Sequence, residues 1–230
     1  IIEKILNIIE IKDENILEVG PGTGNLTYEI QRKNPKKIIV IEKDKTLVDL
    51  LKDKFESKIE IVNEDILKIN EENLISEKLI VFGNLPYNIS TEILCKWILN
   101  SKENPWFKYL ILMFQKEVAD RIMAKFNTKN YGRLSILANW RLSIKKICDV
   151  KPTSFSPRPK VDSSILFFKP KNNFFSLNNS KNLEKITRVF FMHRRKMIKK
   201  PFLNLFDNDI NLASKMKLDL ELRPQNLSLD

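Results

Sequence analysis

The chain has 230 residues, 43% of them hydrophobic, which is enough to bury one sizeable domain and a small second one. No apolar run approaches bilayer length and nothing resembles a signal peptide, while two isolated cysteines (Cys95, Cys148) give neither a disulfide framework nor a zinc spacing. His193 is the single histidine, which excludes most triad hydrolases and histidine-based metal sites; 40 Lys plus Arg against 29 Asp plus Glu, net +11, favour a polyanionic partner such as nucleic acid or an anionic membrane surface. We expect a cytoplasmic protein, with no metal.

Residues Ile1 to Ile11 carry apolar side chains at helical spacing, and the chain opens inside that pattern without Met, so we expect the natural N-terminus to lie upstream. Asn15 to Val19 reads as a strand that enters the turn Gly20-Pro21-Gly22-Thr23-Gly24 and then a helix. Glycines let the backbone approach a ligand closely, and a helix N-terminus offers free N–H groups. Such a turn is also an ordinary strand-to-helix connection.

A second strand, Lys37 to Glu42, ends in an acid where α/β nucleoside binders place a carboxylate for ribose hydroxyls, though a surface acid at a strand end is also common. A third, Ile59 to Val62, runs into Asp65 and Ile66. Asp65 either accepts from an adenine amine, with Ile66 packed on the ring, or simply caps a helix. The fourth strand, Lys78 to Phe82, enters Asn84-Leu85-Pro86-Tyr87. Pro86 fixes its own φ and biases Leu85 towards an extended conformation. An Asn amide oxygen and a backbone carbonyl beside a Tyr ring suit the grip of an exocyclic amine on a planar base. The plainer reading is a tight turn after a core strand.

The spacing predicts a helix over about Ser90 to Leu99, a strand over Tyr109 to Phe114, and helices over Gln115 to Phe126 and from Tyr131 to Arg141. Two further strands, Ser143–Val150 and Ser163–Phe168, read as an antiparallel hairpin at the sheet edge. The proline-rich stretch Phe155 to Ser163 between them either presents Phe155 as an aromatic face or is a plain connector with a buried Phe, the reading it would carry alone. Alternating strands and helices imply an α/β fold with a mostly parallel, doubly wound sheet, in which ligands sit at the C-terminal strand ends. Gly20, Glu42, Asp65 and Asn84 all fall at those ends.

Past the polar stretch Lys169 to Asn173 we place a boundary, giving residues 1–171 and a helical C-terminal domain, 172–230. There Leu183, Ile186, Val189, Phe190 and Met197 fit one helical face, and His193-Arg194-Arg195-Lys196 puts positive charge on the same helix. A charge run is usually a solvated face, and on a chain that grips a base it is equally a phosphate contact.

Three motifs together resemble the rRNA adenine N6-dimethyltransferases: Glu18 to Gly24, Asn84 to Tyr87, and Phe155 to Ser163. Within the KsgA/Erm superfamily the chain looks most like the KsgA type, because Gln115 to Val118, Tyr131 to Ser135 and the Arg194-Arg195-Lys196 run also match. The resemblance implies a Rossmann-like S-adenosylmethionine-dependent methyltransferase fold. It also implies dimethylation at N6 of two adjacent adenosines in the 3′-terminal hairpin loop of small-subunit (16S) rRNA, in the immature 30S subunit, with S-adenosylhomocysteine as co-product. By position, Gly20 and Gly22 would hold the methionine part of the cofactor, Glu42 its ribose, and Asp65 with Ile66 its adenine. Asn84 would stand at the junction with the target base, with Leu85, Pro86, Tyr87 and Phe155 around that base and Arg194, Arg195 and Lys196 on the RNA. A cofactor-contacting segment containing Gln and Asn precedes the first helix in the family, and this chain begins after it. The rival readings are an Erm-type large-subunit rRNA methyltransferase and a non-catalytic RNA-binding assembly factor. Nothing in the sequence demands more than a monomer.

Overall fold

A computed structural model describes residues 1–101, 104–155 and 158–228. Seven strands form one sheet in the order β3-β2-β1-β4-β5-β7-β6: β1 (Asn15–Val19), β2 (Lys37–Glu42), β3 (Glu60–Asn63), β4 (Leu79–Gly83), β5 (Phe107–Gln115), β6 (Leu142–Val150) and β7 (Ser163–Pro170). The first five are mutually parallel, and β7 runs antiparallel to both β5 and β6. The expected α/β doubly wound sheet is therefore present. β6 and β7 make the expected antiparallel pair, with β7 as its inner strand.

The strands alternate between two buried faces, as a sheet covered on both sides requires. Ile16, Ile38, Val40, Ile80, Phe82 and Ile111 face a layer containing Ile5, Ile30, Leu51 and Phe55. Those side chains come from α1 (Ile2–Leu6), α2 (Asn25–Gln31) and α3 (Lys45–Phe55). Leu17, Val19, Ile39, Val81, Leu110 and Leu112 face the opposite layer with Trp97 and Trp140, both 1% exposed. That layer holds α4 (Ser90–Asn100), α5 (Lys116–Ile122) and α6 (Arg133–Arg141).

Because β7 is antiparallel, the loop joining β6 to β7 lies at the same sheet edge as the C-terminal ends of β1 to β5. Register fixes this: Gly83 is level with Leu112, and Gln115 and Val150 are both level with Ser163. Lys116 N–H donates to the Asp162 carbonyl at 2.9 Å, tying the loop's far end to that edge.

Three expectations are corrected. The first helix spans Ile2–Leu6, not the whole of 1–11; a turn this short is held by its buried pair, Ile5 and Leu6, and ends at Asn7. The helix after β5 stops at Ile122, and the chain beyond it turns through Asn127 at φ 62° with Phe126 exposed. The basic run leaves the helix it was placed on: α7 (Ser180–Phe191) ends before His193, and residues 193–196 form a turn. The turn lets Ile198, fully buried, enter a small cluster with Phe190, Phe202 and Ala213. That cluster joins α7 to α8 (Lys199–Leu205) and α9 (Ile210–Lys215). Met197 and Ile186 are exposed, so the apolar face of α7 consists of Leu183, Thr187, Val189 and Phe190. Phe174, Leu177 and Leu183 pack against the main core.

Candidate active site

Two turns that follow strand ends, joined by residues of the first three helices, shape the C-terminal edge of the sheet. After β1 the chain turns at Gly20, φ +71°, where Gly20 N–H donates to the Ile41 carbonyl at 3.0 Å. After β4, Asn84 N–H donates to the Val19 carbonyl at 3.2 Å. These two bonds bring the glycine turn and the Asn84 loop side by side. A Cβ on Gly20 would lie 2.9 Å from the Asn84 carbonyl oxygen, closer than such contacts tolerate, on a backbone that disfavours side chains. We expect Gly20→Ala to cost about 1–3 kcal/mol and to slow catalysis by displacing the Asn84 loop. Denaturant unfolding checks this, and an unchanged midpoint with full activity would contradict it.

A cavity of about 490 Å³ opens between these turns and the β6–β7 loop. Glu18, Gly20, Gly22, Gly83, Asn84 and Phe155 are among the residues that line it. Beside Gly22 a Cβ would meet nothing within 4 Å, so the turn borders open space. Phe155 is half-buried and packs on the core layer beneath it. Its neighbours Ser156 and Pro157, part of the expected motif, lie outside the described residues.

The Asn84–Tyr87 loop is held by its hydrophobic and hydroxyl members. Leu85 is 1% exposed and sits in the core. Asn84 is exposed, and its side-chain amide makes no hydrogen bond to the described residues. Tyr87 Oη and Ser163 Oγ are 2.6 Å apart, which links the loop to the start of β7. Ser90 Oγ donates to the Tyr87 carbonyl at 3.1 Å. The Asn84 side chain thus takes no part in holding the loop.

Glu18 belongs to the quoted glycine motif, yet sequence reasoning assigned it no role. Its carboxylate is 2% exposed in the cavity wall and accepts from Thr27 Oγ1 at 2.7 Å. Burial pushes its pKa from the ordinary 4.5 up to about 7, against a smaller opposing effect of the Thr27 hydroxyl. A buried acid with one hydrogen-bond donor is a ready seat for a cationic ligand group.

Glu42, Asp65 and Ile66 lie outside this cavity, at the ends of β2 and β3. Glu42 Oε1 accepts from Lys43 N–H and Asp44 N–H at 2.8 and 3.0 Å. Asn63 Nδ2 donates to the Glu42 carbonyl at 2.9 Å, fastening that turn to β3. Asp65 performs the capping role: its Oδ1 accepts from Leu67 N–H at 3.0 Å and opens a 3₁₀ turn, Ile66–Lys68. Its Oδ2 accepts from Lys43 Nζ at 2.8 Å, a pairing that the sequence did not reveal. The Lys43 hydrogen bond and then the Leu67 amide hold the Asp65 carboxyl below the usual carboxylate range. Ile66 is 5% exposed and belongs largely to the core.

The basic residues occupy the α7–α8 turn. Arg194 donates to the Lys129 carbonyl at 2.8 Å. Arg195 and Lys196, with Lys199, Lys200 and Arg223, line an open groove. Among the described residues no group of three or more His, Cys, Asp or Glu could hold a metal ion, and no helix is long and apolar enough to cross a membrane.

Comparison with known proteins bears on the family and the fold. The family model described as ribosomal RNA adenine dimethylase matches residues 1–229. Ribosomal RNA small subunit methyltransferase A of Pelagibacter ubique (strain HTCC1062) is 61% identical over 230 residues, spanning 100% of this chain and 88% of that protein. The protein of the same name from Wolbachia sp. subsp. Drosophila simulans (strain wRi) is 41% identical over 223 residues, covering 96% of this chain and 81% of the relative. A dimethyladenosine transferase from Plasmodium falciparum superposes with TM-score 0.81 at 29% identity, covering 99% of this chain and 90% of that one. The 23S rRNA methyltransferase ErmE, at 22% identity and TM-score 0.70 over 98% of this chain and 93% of its own, shares the fold. The chain belongs to the ribosomal RNA adenine dimethylase family.

Proposed function

We propose that this protein dimethylates, at N6, two adjacent adenosines in the 3′-terminal hairpin loop of small-subunit (16S) rRNA, with S-adenosylmethionine as methyl donor and the immature small subunit as substrate. The observation that carries the reading is the cavity itself. A glycine turn, a buried acid, the exposed Asn84 and an aromatic side chain line one cavity.

The residues fit the donor. The space beside Gly22 admits a ligand against the backbone, and the buried Glu18 carboxylate offers negative charge to a cationic group. Glu42 keeps Oε2 for ribose hydroxyls, and Asp65 stands at the adenine end. S-adenosylmethionine supplies an electrophilic methyl group on a positively charged sulfur. The lone pair of an adenine N6 is delocalised into the ring, so the chain must align it. The Asn84 amide oxygen and the Leu85 carbonyl accept from the amine and aim its nitrogen, and such alignment can supply much of the rate. Tyr87, fixed through Ser163, and Phe155 flank a base taken out of its stack. The methylated nitrogen is acidic enough to lose its proton to solvent, so no strong base is required.

RNA binding is assigned to Arg194, Arg195 and Lys196 within a helical C-terminal region, 172–230. Phosphate contacts of this kind weaken steeply with salt. Labelled methyl groups offered with unmodified small subunits, large-subunit rRNA and duplex DNA should enter the small subunit alone. Label in the large-subunit RNA would move the protein to the Erm class, and tight RNA binding without transfer would make it an assembly factor.

A further inference from the structure

Helix α4 connects two parts of the site. It starts just after the Asn84–Tyr87 loop and carries Lys96 and Trp97 further along. The Lys96 ammonium donates to the Ile66 carbonyl at 2.8 Å, to the Ile69 carbonyl, and to Glu71 Oε1 at 2.8 Å. Trp97 Nε1 donates to the same Glu71 oxygen at 2.6 Å. An ammonium has three N–H donors, and all three are spent on the connection between β3 and β4. The Lys96 and Glu71 side chains are 18% and 5% exposed, so the cluster is largely out of water.

A buried ion pair is a poor device for stability, since apolar side chains of similar volume often do as well. What an apolar contact cannot do is fix the direction of two particular backbone carbonyls. One of these belongs to Ile66, whose neighbour Asp65 opens the same 3₁₀ turn. The turn has three residues, and beyond the Asp65 cap and the burial of the Ile66 side chain, the Ile66 carbonyl is directed by Lys96. Asp65 has Lys43 on its solvent side, and Lys96 grips the turn from the core side.

We propose that Lys96 is a positioning residue for the adenine end of the cofactor site. It holds the Ile66–Ile69 segment, and with it the Asp65 carboxylate, at a fixed place relative to the Asn84 loop that opens the same helix. This rests on the reading of the strand-end edge as a cofactor site.

The test uses the whole chain and two variants, Lys96→Met, which keeps the apolar stem, and Lys96→Arg, which restores donors. Calorimetric titration with S-adenosylhomocysteine and with 5′-methylthioadenosine reads the adenine end without turnover. We expect Lys96→Met to weaken both ligands by a similar factor, about ten-fold, as the released turn leaves about a tenth of the protein in the binding-competent position. KM for S-adenosylmethionine should rise by that factor while kcat at saturation stays within about two-fold, and Lys96→Arg should recover most of the loss. RNA affinity should not change. A folded Lys96→Met protein that binds both nucleosides as the wild type does would overturn the proposal. Should Lys96→Met fail to fold, Lys96→Gln, with two donors on a shorter stem, replaces it with the same expected loss and the same contradicting result. Wild-type protein that binds neither nucleoside would overturn the cofactor reading, and this proposal with it.

Discussion

Replacing Asn84 with alanine is expected to lower methyl transfer by roughly 10²–10³-fold, the usual cost of removing one preorganised polar contact to the reacting group. The side chain is exposed and bonds to no described residue, so its removal leaves no buried partner unsatisfied and the fold should be unaffected. The backbone N–H of residue 84 still reaches the Val19 carbonyl, and Leu85 still anchors the loop in the core. RNA binding, which we assign to the basic turn between α7 and α8, should hardly change. Single-turnover transfer measured beside equilibrium RNA binding separates the two. Equal losses in both would show that Asn84 supports the loop and does not orient the amine.

Glu18→Gln is expected to stabilise the free protein and to impair cofactor binding, opposite effects from one substitution. Burial raises the Glu18 pKa to about 7 in the folded protein. As pH rises from about 4.5, the unfolded chain gives up its proton while the folded one keeps it. Stability therefore falls through the window from about 4.5 to about 7, and the loss is complete above it. A shift of that size corresponds to about 3 kcal/mol. Glutamine keeps an acceptor for the Thr27 hydroxyl and carries no charge. At pH 8 the variant should melt roughly 5–10 °C higher than the wild type, with little difference near pH 4.5. Occupation by a cation reverses the balance, because it favours the ionised carboxylate. In the wild type, affinity for S-adenosylmethionine should rise with pH through about 7 with proton release, and Glu18→Gln should lose both the affinity and its pH dependence. A variant less stable at pH 8, or one that binds the cofactor normally, would contradict the assignment.

The sheet was legible because its strands are short apolar runs bounded by turn residues, and because β1 to β5 each end at a recognisable polar or glycine position. Gly20, Asn84 and Phe155 were singled out by motif and all line one cavity, and the antiparallel β7 explains how Phe155, so far along the chain, reaches the same edge. Contacts between distant segments were not legible. The Tyr87–Ser163 hydroxyl pair and the Lys43–Asp65 ion pair depend on register and loop height, which no local pattern encodes. The unusual acidity of Glu18 arises from what surrounds it, while the residue itself looks like any strand acid. The basic run was misplaced because helical periodicity continues past Phe191, whereas burial of Ile198 requires the chain to turn.

The most direct test of the central claim is a nucleoside digest of small-subunit rRNA after reaction with labelled S-adenosylmethionine. N6,N6-dimethyladenosine as the final labelled product, mapped to two neighbouring positions in the 3′-terminal hairpin loop, is the predicted result. Label that stops at monomethyladenosine, or that lies on another base or outside that loop, would contradict it.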